Sequence, residues 1–144
     1  MNKPLDKKMI LFTDDDPDDF YLFKSVIDKL EKPVEVVWVS DGKEIVSMAE
    51  ESDYFHNDQF NGIIMLDLNM PGVDGKKILK TMKSKAGLSH IPIVIYTTST
   101  SELDIKECYE MGANSYVVKP GGIEDMSKAV ENLCQYWFGT VKLH

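Results

Sequence analysis

The 144-residue chain is 43% hydrophobic and 28% charged, with 24 acidic against 16 basic residues and a net charge of −8. That length holds one ordinary core and not two, and the acidic balance excludes the diffuse cationic surface by which proteins bind nucleic acid phosphates or anionic lipid. No stretch is long and apolar enough for a membrane span or a signal peptide, so a cytoplasmic protein is expected.

Residues 1–8, MNKPLDKK, are polar and aperiodic and read as a tail. MILFT (9–13) then has the length and composition of a strand. It runs into LFTDDDPDDF, with five aspartates in the six positions from Asp14 to Asp19. Asp16 falls where an N-cap would, Pro17 suits the first helical position, and Asp18 and Asp19 fall in a first turn, where the helix dipole favours negative charge. Phe20, Phe23, Ile27 and Leu30 give that helix its apolar stripe.

VEVVWV (34–39) reads as a second strand, followed by a helix with Ile45, Met48 and Ala49 on one face. SDYFHNDQFNG (52–62) is long and aromatic. It is open to two readings, a partner surface or a loop whose Phe55 and Phe60 cover the sheet edge. IIMLDL (63–68) is a strand apolar enough for burial on both faces, ending in Asp67 and then Leu68-Asn69-Met70-Pro71-Gly72. A third helix carries Ile78, Leu79 and Met82.

IPIVIYT (91–97) ends in Thr97-Thr98-Ser99, and a helix with a weak stripe spans Ser101 to Met111. SYVV (115–118) ends in Lys119-Pro120. Gly121-Gly122 then form either a plain turn or a loosened entry to the last helix, whose Ile123, Met126, Val130, Leu133 and Trp137 define one apolar face. Tyr136-Trp137-Phe138 hold more aromatic area than one stripe requires, which leaves burial in the monomer and a dimer through the last helix both open. GTVKLH (139–144) reads as a second tail, so the folded unit is expected over 9–138 with no output module after it.

Cys108 and Cys134 lie in helices, lack CxxC spacing and are expected to be small reduced residues in or near the core. His56, His90 and His144 are scattered and suggest no metal or phosphohistidine site.

Strand and helix alternate five times. The expected fold is a doubly wound (βα)5 α/β domain, a five-stranded parallel sheet with helices on both faces and right-handed crossovers. Ligands of such folds bind outside the carboxyl ends of the strands. Asp14, Asp15 and Asp67, the hydroxyl of Thr97 and the ammonium of Lys119 all stand at that rim. Adjacent carboxylates in a partly dry pocket oppose one another's ionisation unless a cation lies among them. Carboxylates, a carbonyl and waters suit Mg²⁺. A carboxylate beside Mg²⁺, with an ammonium and a hydroxyl nearby, is equipped to attack a phosphoryl group and become an aspartyl phosphate.

ILFTDDDPDD, MLDLNMPGVDG, IVIYTTS and GANSYVVKP, in that order and each at the end of its own strand, resemble the receiver domain of two-component response regulators. The resemblance implies a flavodoxin-like, CheY-like fold with Asp67 as phosphoacceptor. It implies Asp15 as a direct Mg²⁺ ligand, Asp14 acting through a metal-bound water, and Asn69 supplying its backbone carbonyl. Lys119 and Thr97 would bind the phosphoryl oxygens, Tyr116 would be the switch aromatic, and the Lys119-Pro120 bond would be cis. The aspartate-rich start and the YW ending are similar to stand-alone receivers paired with bacteriophytochrome-like kinases. The implied function is phosphorelay signalling: phosphoryl transfer from a sensor histidine kinase or phosphotransfer protein to Asp67, a change in the surface of the fourth helix, fifth strand and fifth helix, and contact with a downstream protein. The chain would catalyse only its own modification. Thr98 stands where the family usually has a smaller residue and is expected to slow phosphorylation by small donors.

Three other readings each meet an obstacle in the sequence. A haloacid dehalogenase-like phosphohydrolase wants a second aspartate two residues after the nucleophile, where this chain has Asn69. An EF-hand starting at Asp14 fails at its sixth and twelfth positions, Asp19 and Ser25. A receiver-like module that takes no phosphate conflicts with the full acidic set.

Overall fold

The computed structural model describes residues 7–51, 54–55 and 60–143. His56, His144 and much of the proposed partner surface between 52 and 59 lie outside the described residues. The elements are β1 (Lys8–Thr13), α1 (Pro17–Lys29), β2 (Val34–Val39), α2 (Gly42–Glu51), β3 (Gly62–Leu66), α3 (Gly75–Ser84), β4 (Ile93–Thr97), α4 (Glu102–Glu110), β5 (Ser115–Val118) and α5 (Ile123–Gln135). A two-residue ribbon, Asn69–Met70 against Val73–Asp74, precedes α3. Its turn is Pro71-Gly72, and Gly72 takes φ +70°, as the third position of a type II turn requires.

The five strands form one sheet in the order β2-β1-β3-β4-β5, every neighbouring pair parallel. This is the flavodoxin-like arrangement, with its reversal of order between β1 and β3. The strands are apolar on both faces because both are covered. Leu11, Ile64, Leu66, Ile93 and Ile95 point to the side of α2, α3 and α4. Ile10, Phe12, Ile63, Met65, Val94 and Tyr96 point to the side of α1 and α5. Each fully buried aliphatic side chain contributes about 1.5–3 kcal/mol.

The acidic run initiates α1 as its composition predicts. Asp16 is the N-cap, its side chain accepting from the Asp18 N–H at 2.9 Å, and Pro17 opens the helix. Phe20, Phe23, Val26 and Ile27 are its buried face. In α5 the predicted stripe is displaced: Met126, Val130 and Cys134 are buried while Ile123 is 47% exposed. The row at spacing four through Cys134 faces the sheet, so Ile123 falls at its edge. Gly122 is the N-cap, without a side-chain bond, and neither it nor Gly121 has a neighbour within 4 Å of an added Cβ.

The chain leaves α5 through a five-residue π turn, Tyr136–Thr140. Trp137 and Phe138 pack against the α1/α5 core, while Tyr136 stays half exposed. Phe55 is buried, and its ring lies 5.1 Å from that of Phe60 and 5.2 Å from that of Tyr54. These aromatics close the α2/α3 side of the core, as the edge-covering reading expects. Cys108 and Cys134 are free thiols and buried.

Candidate functional site

Thr13 of β1 and Leu66 of β3 are register partners, so the next residue on each strand, Asp14 and Asp67, leaves the sheet side by side. The Asp67 N–H donates to the Thr13 carbonyl at 3.0 Å and the Asp14 N–H to the Val39 carbonyl at 3.2 Å. Asp67 stands one residue beyond its strand because its Oδ1 accepts from the Asn69 N–H at 3.1 Å, which bends the chain away from the sheet. Asp14 is 1% and Asp67 7% exposed. Asp15 is exposed at the rim. One oxygen from each of Asp14, Asp15 and Asp67 lies within 4.8 Å of the others. Burial pushes the Asp14 carboxyl above the usual carboxylate range, against the opposing pull of Lys119 and of the Asp16 N–H.

Lys119 closes this pocket from β5, where its N–H donates to the Thr97 carbonyl at 2.8 Å. Its ammonium has three protons. They go to three carboxylates, Asp14 Oδ2 at 2.7 Å, Asp19 Oδ2 at 2.6 Å and Asp67 Oδ2 at 3.0 Å. Burial alone would lower the affinity of this amine for its proton. The bonds to Asp14 and Asp19 outweigh it, so the group titrates above an ordinary lysine. The ammonium also sits 5.8 Å from the centre of the Tyr96 ring.

Two expectations need correction here. Asp19 does more than start a helix, because the first turn of α1 points its side chain back at Lys119. The Lys119–Pro120 bond is trans, and no cis peptide bond occurs among the described residues. Trans is the lower-energy isomer of an X–Pro bond by about 0.5–1 kcal/mol, and Lys119 makes all three of its ammonium bonds in that form.

Thr97 is fully buried, and its Oγ1 accepts long bonds from Asn69 Nδ2 at 3.4 Å and the Ser99 N–H at 3.5 Å. Tyr116 is half buried. Its hydroxyl donates to the Ser99 carbonyl at 2.9 Å and its N–H to the Tyr109 hydroxyl oxygen at 3.1 Å. The loop between them is tied down from α3. Lys76 Nζ bonds Asp104 Oδ1 at 2.6 Å and Glu107 Oε1 at 2.8 Å, and the Ser99 hydroxyl donates to Asp104 Oδ2 at 2.6 Å.

Asp14, Asp15, Asp67, Asn69, Thr97 and Lys119 thus meet at one rim, with Tyr116 one loop away. Asp19, Trp38, Lys76 and Asp104 were missed. Only Asp19 had a sequence signal, since a first-turn acid five residues after a strand-end acid lies over the same strand end.

The site has the chemistry of a divalent-cation site: three carboxylates close enough to share one ion, with oxygen donors throughout. An EF-hand is ruled out because most of the loop it would need, from residue 17 to residue 25, is helical.

A doubly wound parallel sheet with clustered carboxylates and one lysine at its carboxyl rim is the architecture of the receivers of two-component signalling. Residues 10–131 match the response regulator receiver domain, and the chain belongs to that family. It is 31% identical over 136 residues to the response regulator Rcp1 of Synechocystis, covering 94% of this chain and 92% of that protein. It superposes on the Mn²⁺-bound form of Rcp1 with a TM-score of 0.83 at 31% identity over 95% of this chain and 99% of the other. For the phosphorylated cyanobacterial phytochrome response regulator RcpA the TM-score is 0.85 at 32% identity, over 95% and 98%. The bacteriophytochrome response regulator AtBRR gives 0.68 at 33% identity, over 96% and 99%. The chain is therefore a response regulator receiver related to those of phytochromes, and the phosphohydrolase reading is not favoured.

Proposed function

We propose that this receiver accepts a phosphoryl group on the side chain of Asp67, from a histidine kinase or phosphotransfer protein, in a Mg²⁺-dependent reaction. The observation that carries the reading is the shared ammonium of Lys119, bonded to both Asp14 and Asp67 at the mouth of a three-carboxylate cluster. A carboxylate oxygen of Asp67 attacks phosphorus, the new O–P bond forms as the donor's N–P bond breaks, and the donor imidazole departs. Lys119 follows the charge, exchanging its bond to Asp67 for bonds to the phosphoryl oxygens. Thr97, whose hydroxyl makes only long bonds, turns to donate to one of those oxygens. Asp15, Asp67 and the Asn69 carbonyl would hold the cation, with Asp14 acting through a bound water. When bound, the cation offsets the negative charge of the pocket and of the incoming phosphoryl group.

The modification would be passed outward through Thr97 and the Ser99 loop to Tyr116, and so to the surface of α4, β5 and α5. The protein acts on itself alone and signals through that surface to a downstream protein. The phytochrome regulators it resembles favour a kinase of the bacteriophytochrome kind. Residues 9–138 form the receiver unit, supported by the family match and by Trp137 and Phe138 packing on its core. A homodimer through α5 rests on the exposed Tyr136, and a cytoplasmic location is proposed beside the observation that, among the described residues, no helix is long and apolar enough to cross a membrane.

The test is intact mass after exposure to acetyl phosphate and Mg²⁺. A phosphoryl adduct lost in Asp67→Asn but kept in Asp18→Asn is the expected result. No adduct from any donor, a cognate kinase included, overturns the assignment.

A further inference from the structure

We infer that Asp19 is a positioning residue for Lys119, holding the ammonium at the mouth of the pocket while Asp14 and Asp67 are engaged; the inference rests on the proposed reaction at Asp67. Lys119 spends its three protons on carboxylates from three elements: Asp14 at the end of β1, Asp67 at the end of β3, and Asp19 in the first turn of α1. The bond to Asp19, at 2.6 Å, is the shortest of the three. Two of these partners have other duties in the reaction. Asp67 gains a phosphoryl group, and Asp14 faces the cation. Asp19 alone is free to keep its bond from start to finish. Its side chain is also the outermost of the three, 30% exposed against 1% for the side chain of Asp14 and 9% for that of Asp67.

Sharing the ammonium with Asp19 has a second effect. A lysine bonded only to Asp14 and Asp67 would neutralise the carboxylates that a cation needs. Drawn outward by Asp19, it neutralises them in part. The pocket then holds four carboxylates (Asp14, Asp15, Asp19, Asp67) against one ammonium, a formal charge of −3. Removing the Asp19 charge therefore lets Lys119 settle onto Asp14 and Asp67 and lowers the negative charge of the pocket. Both changes weaken cation binding. Only the first also misplaces the ammonium for the phosphoryl oxygens.

Asp18 separates this role from helix initiation. It occupies the same first turn and carries the same charge. The full chain is compared as wild type, Asp18→Asn, Asp19→Asn and Asp19→Glu. Mn²⁺ affinity is read by paramagnetic resonance, and adduct formation from acetyl phosphate by intact mass across a Mg²⁺ series. Asp19→Asn is expected to weaken Mn²⁺ binding several-fold and to slow the adduct on the order of tenfold, the size of one lost charge-assisted hydrogen bond. The deficit persists at saturating Mg²⁺, Asp19→Glu recovers most of the rate, and Asp18→Asn stays within about twofold of wild type. If Asp19→Asn does not fold, Asp19→Ser carries the same comparison.

Equal behaviour of Asp19→Asn and Asp18→Asn, with wild type forming its adduct, overturns the role of Asp19 and leaves the assignment of Asp67 standing. A deficit that saturating Mg²⁺ removes entirely overturns positioning as well, because it reduces Asp19 to one charge among several. Absence of any adduct in wild type overturns both.

Discussion

The indole Nε1 of Trp38 donates at 2.8 Å to the backbone carbonyl of Asp14, which ties the second strand of the sheet to the acidic pocket. The indole is also stacked on Phe20 of α1, with ring centres 4.9 Å apart and planes 9° from parallel. A charge placed beside Asp14 therefore acts on a rigidly held fluorophore. Divalent cations are expected to change Trp38 emission. The response should survive in Trp137→Phe, whose indole follows the C-terminal end of α5, and should be mostly lost in Trp38→Phe. The latter also leaves the Asp14 carbonyl without its indole donor and is expected to lower stability by about 1–3 kcal/mol. An undiminished cation response in Trp38→Phe would refute the link.

The bridge from α3 to α4 predicts a particular dependence on pH. The Lys76 ammonium and the Ser99 hydroxyl hold the Asp104 carboxyl below the usual carboxylate range. A depressed carboxyl stabilises the fold fully above its unfolded value of about 3.9 and loses that contribution as pH falls through the folded one. Lys76 is held above its ordinary value by Asp104 and Glu107, so its share is complete below about 10.4 and lost as pH rises past the folded value. Because the two side chains are 24% and 26% exposed, Asp104→Asn should cost at most about 1 kcal/mol at pH 7. Urea unfolding at pH 7 and pH 3 checks it: the gap between wild type and variant should narrow at the lower pH, and a gap unchanged there counts against the bridge.

The fold was legible because β-branched runs and helical stripes alternate without interruption, and the rim because strand ends are where Asp14, Asp67, Thr97 and Lys119 stand. Asp16 and Pro17 announced a helix start through local chemistry alone. Pattern failed where the partner is far along the chain. Trp38 alternates like any strand aromatic, and only the β1–β2 pairing puts its indole beside Asp14. Lys76, Asp104 and Glu107 are unremarkable helical charges until α3 and α4 lie together on one face of the sheet. In α5 the apolar stripe runs through Ile123 and Leu133, whereas the buried row is completed by Cys134, a core residue by its type that apolar periodicity does not mark.

Thr98 is exposed directly after the buried Thr97. Its side chain adds bulk at the rim without packing into the core, so its removal should leave stability within about 0.5 kcal/mol of wild type. Thr98→Ala is expected to accept a phosphoryl group from acetyl phosphate several-fold faster, with little change when the donor is a protein that docks through a larger surface. Single-turnover rates with both donors decide this. A rate with acetyl phosphate no higher than wild type sinks the proposal that Thr98 narrows access to Asp67.

Gly75 connects packing to chemistry most directly. A Cβ at this position would lie 2.7 Å from the Leu68 Cα, 2.8 Å from the Asp67 carbonyl oxygen and 3.1 Å from the Leu68 carbonyl oxygen. All three are backbone atoms, which cannot yield as the tip of a flexible side chain would. Alanine's helical advantage over glycine is about 0.8–1 kcal/mol in a helix interior and less at this first turn, where Asp74 supplies the cap. The clash dominates. Gly75→Ala is expected to destabilise the domain by about 1–3 kcal/mol and to displace the Asp67 peptide unit, so that adduct formation slows more than stability alone explains. Measuring the rate well below the melting temperature separates the two effects, since the folded fraction is then near one in both proteins. An alanine variant with wild-type melting and a wild-type rate would mean that the start of α3 can move away from the Asp67–Leu68 peptide at no cost.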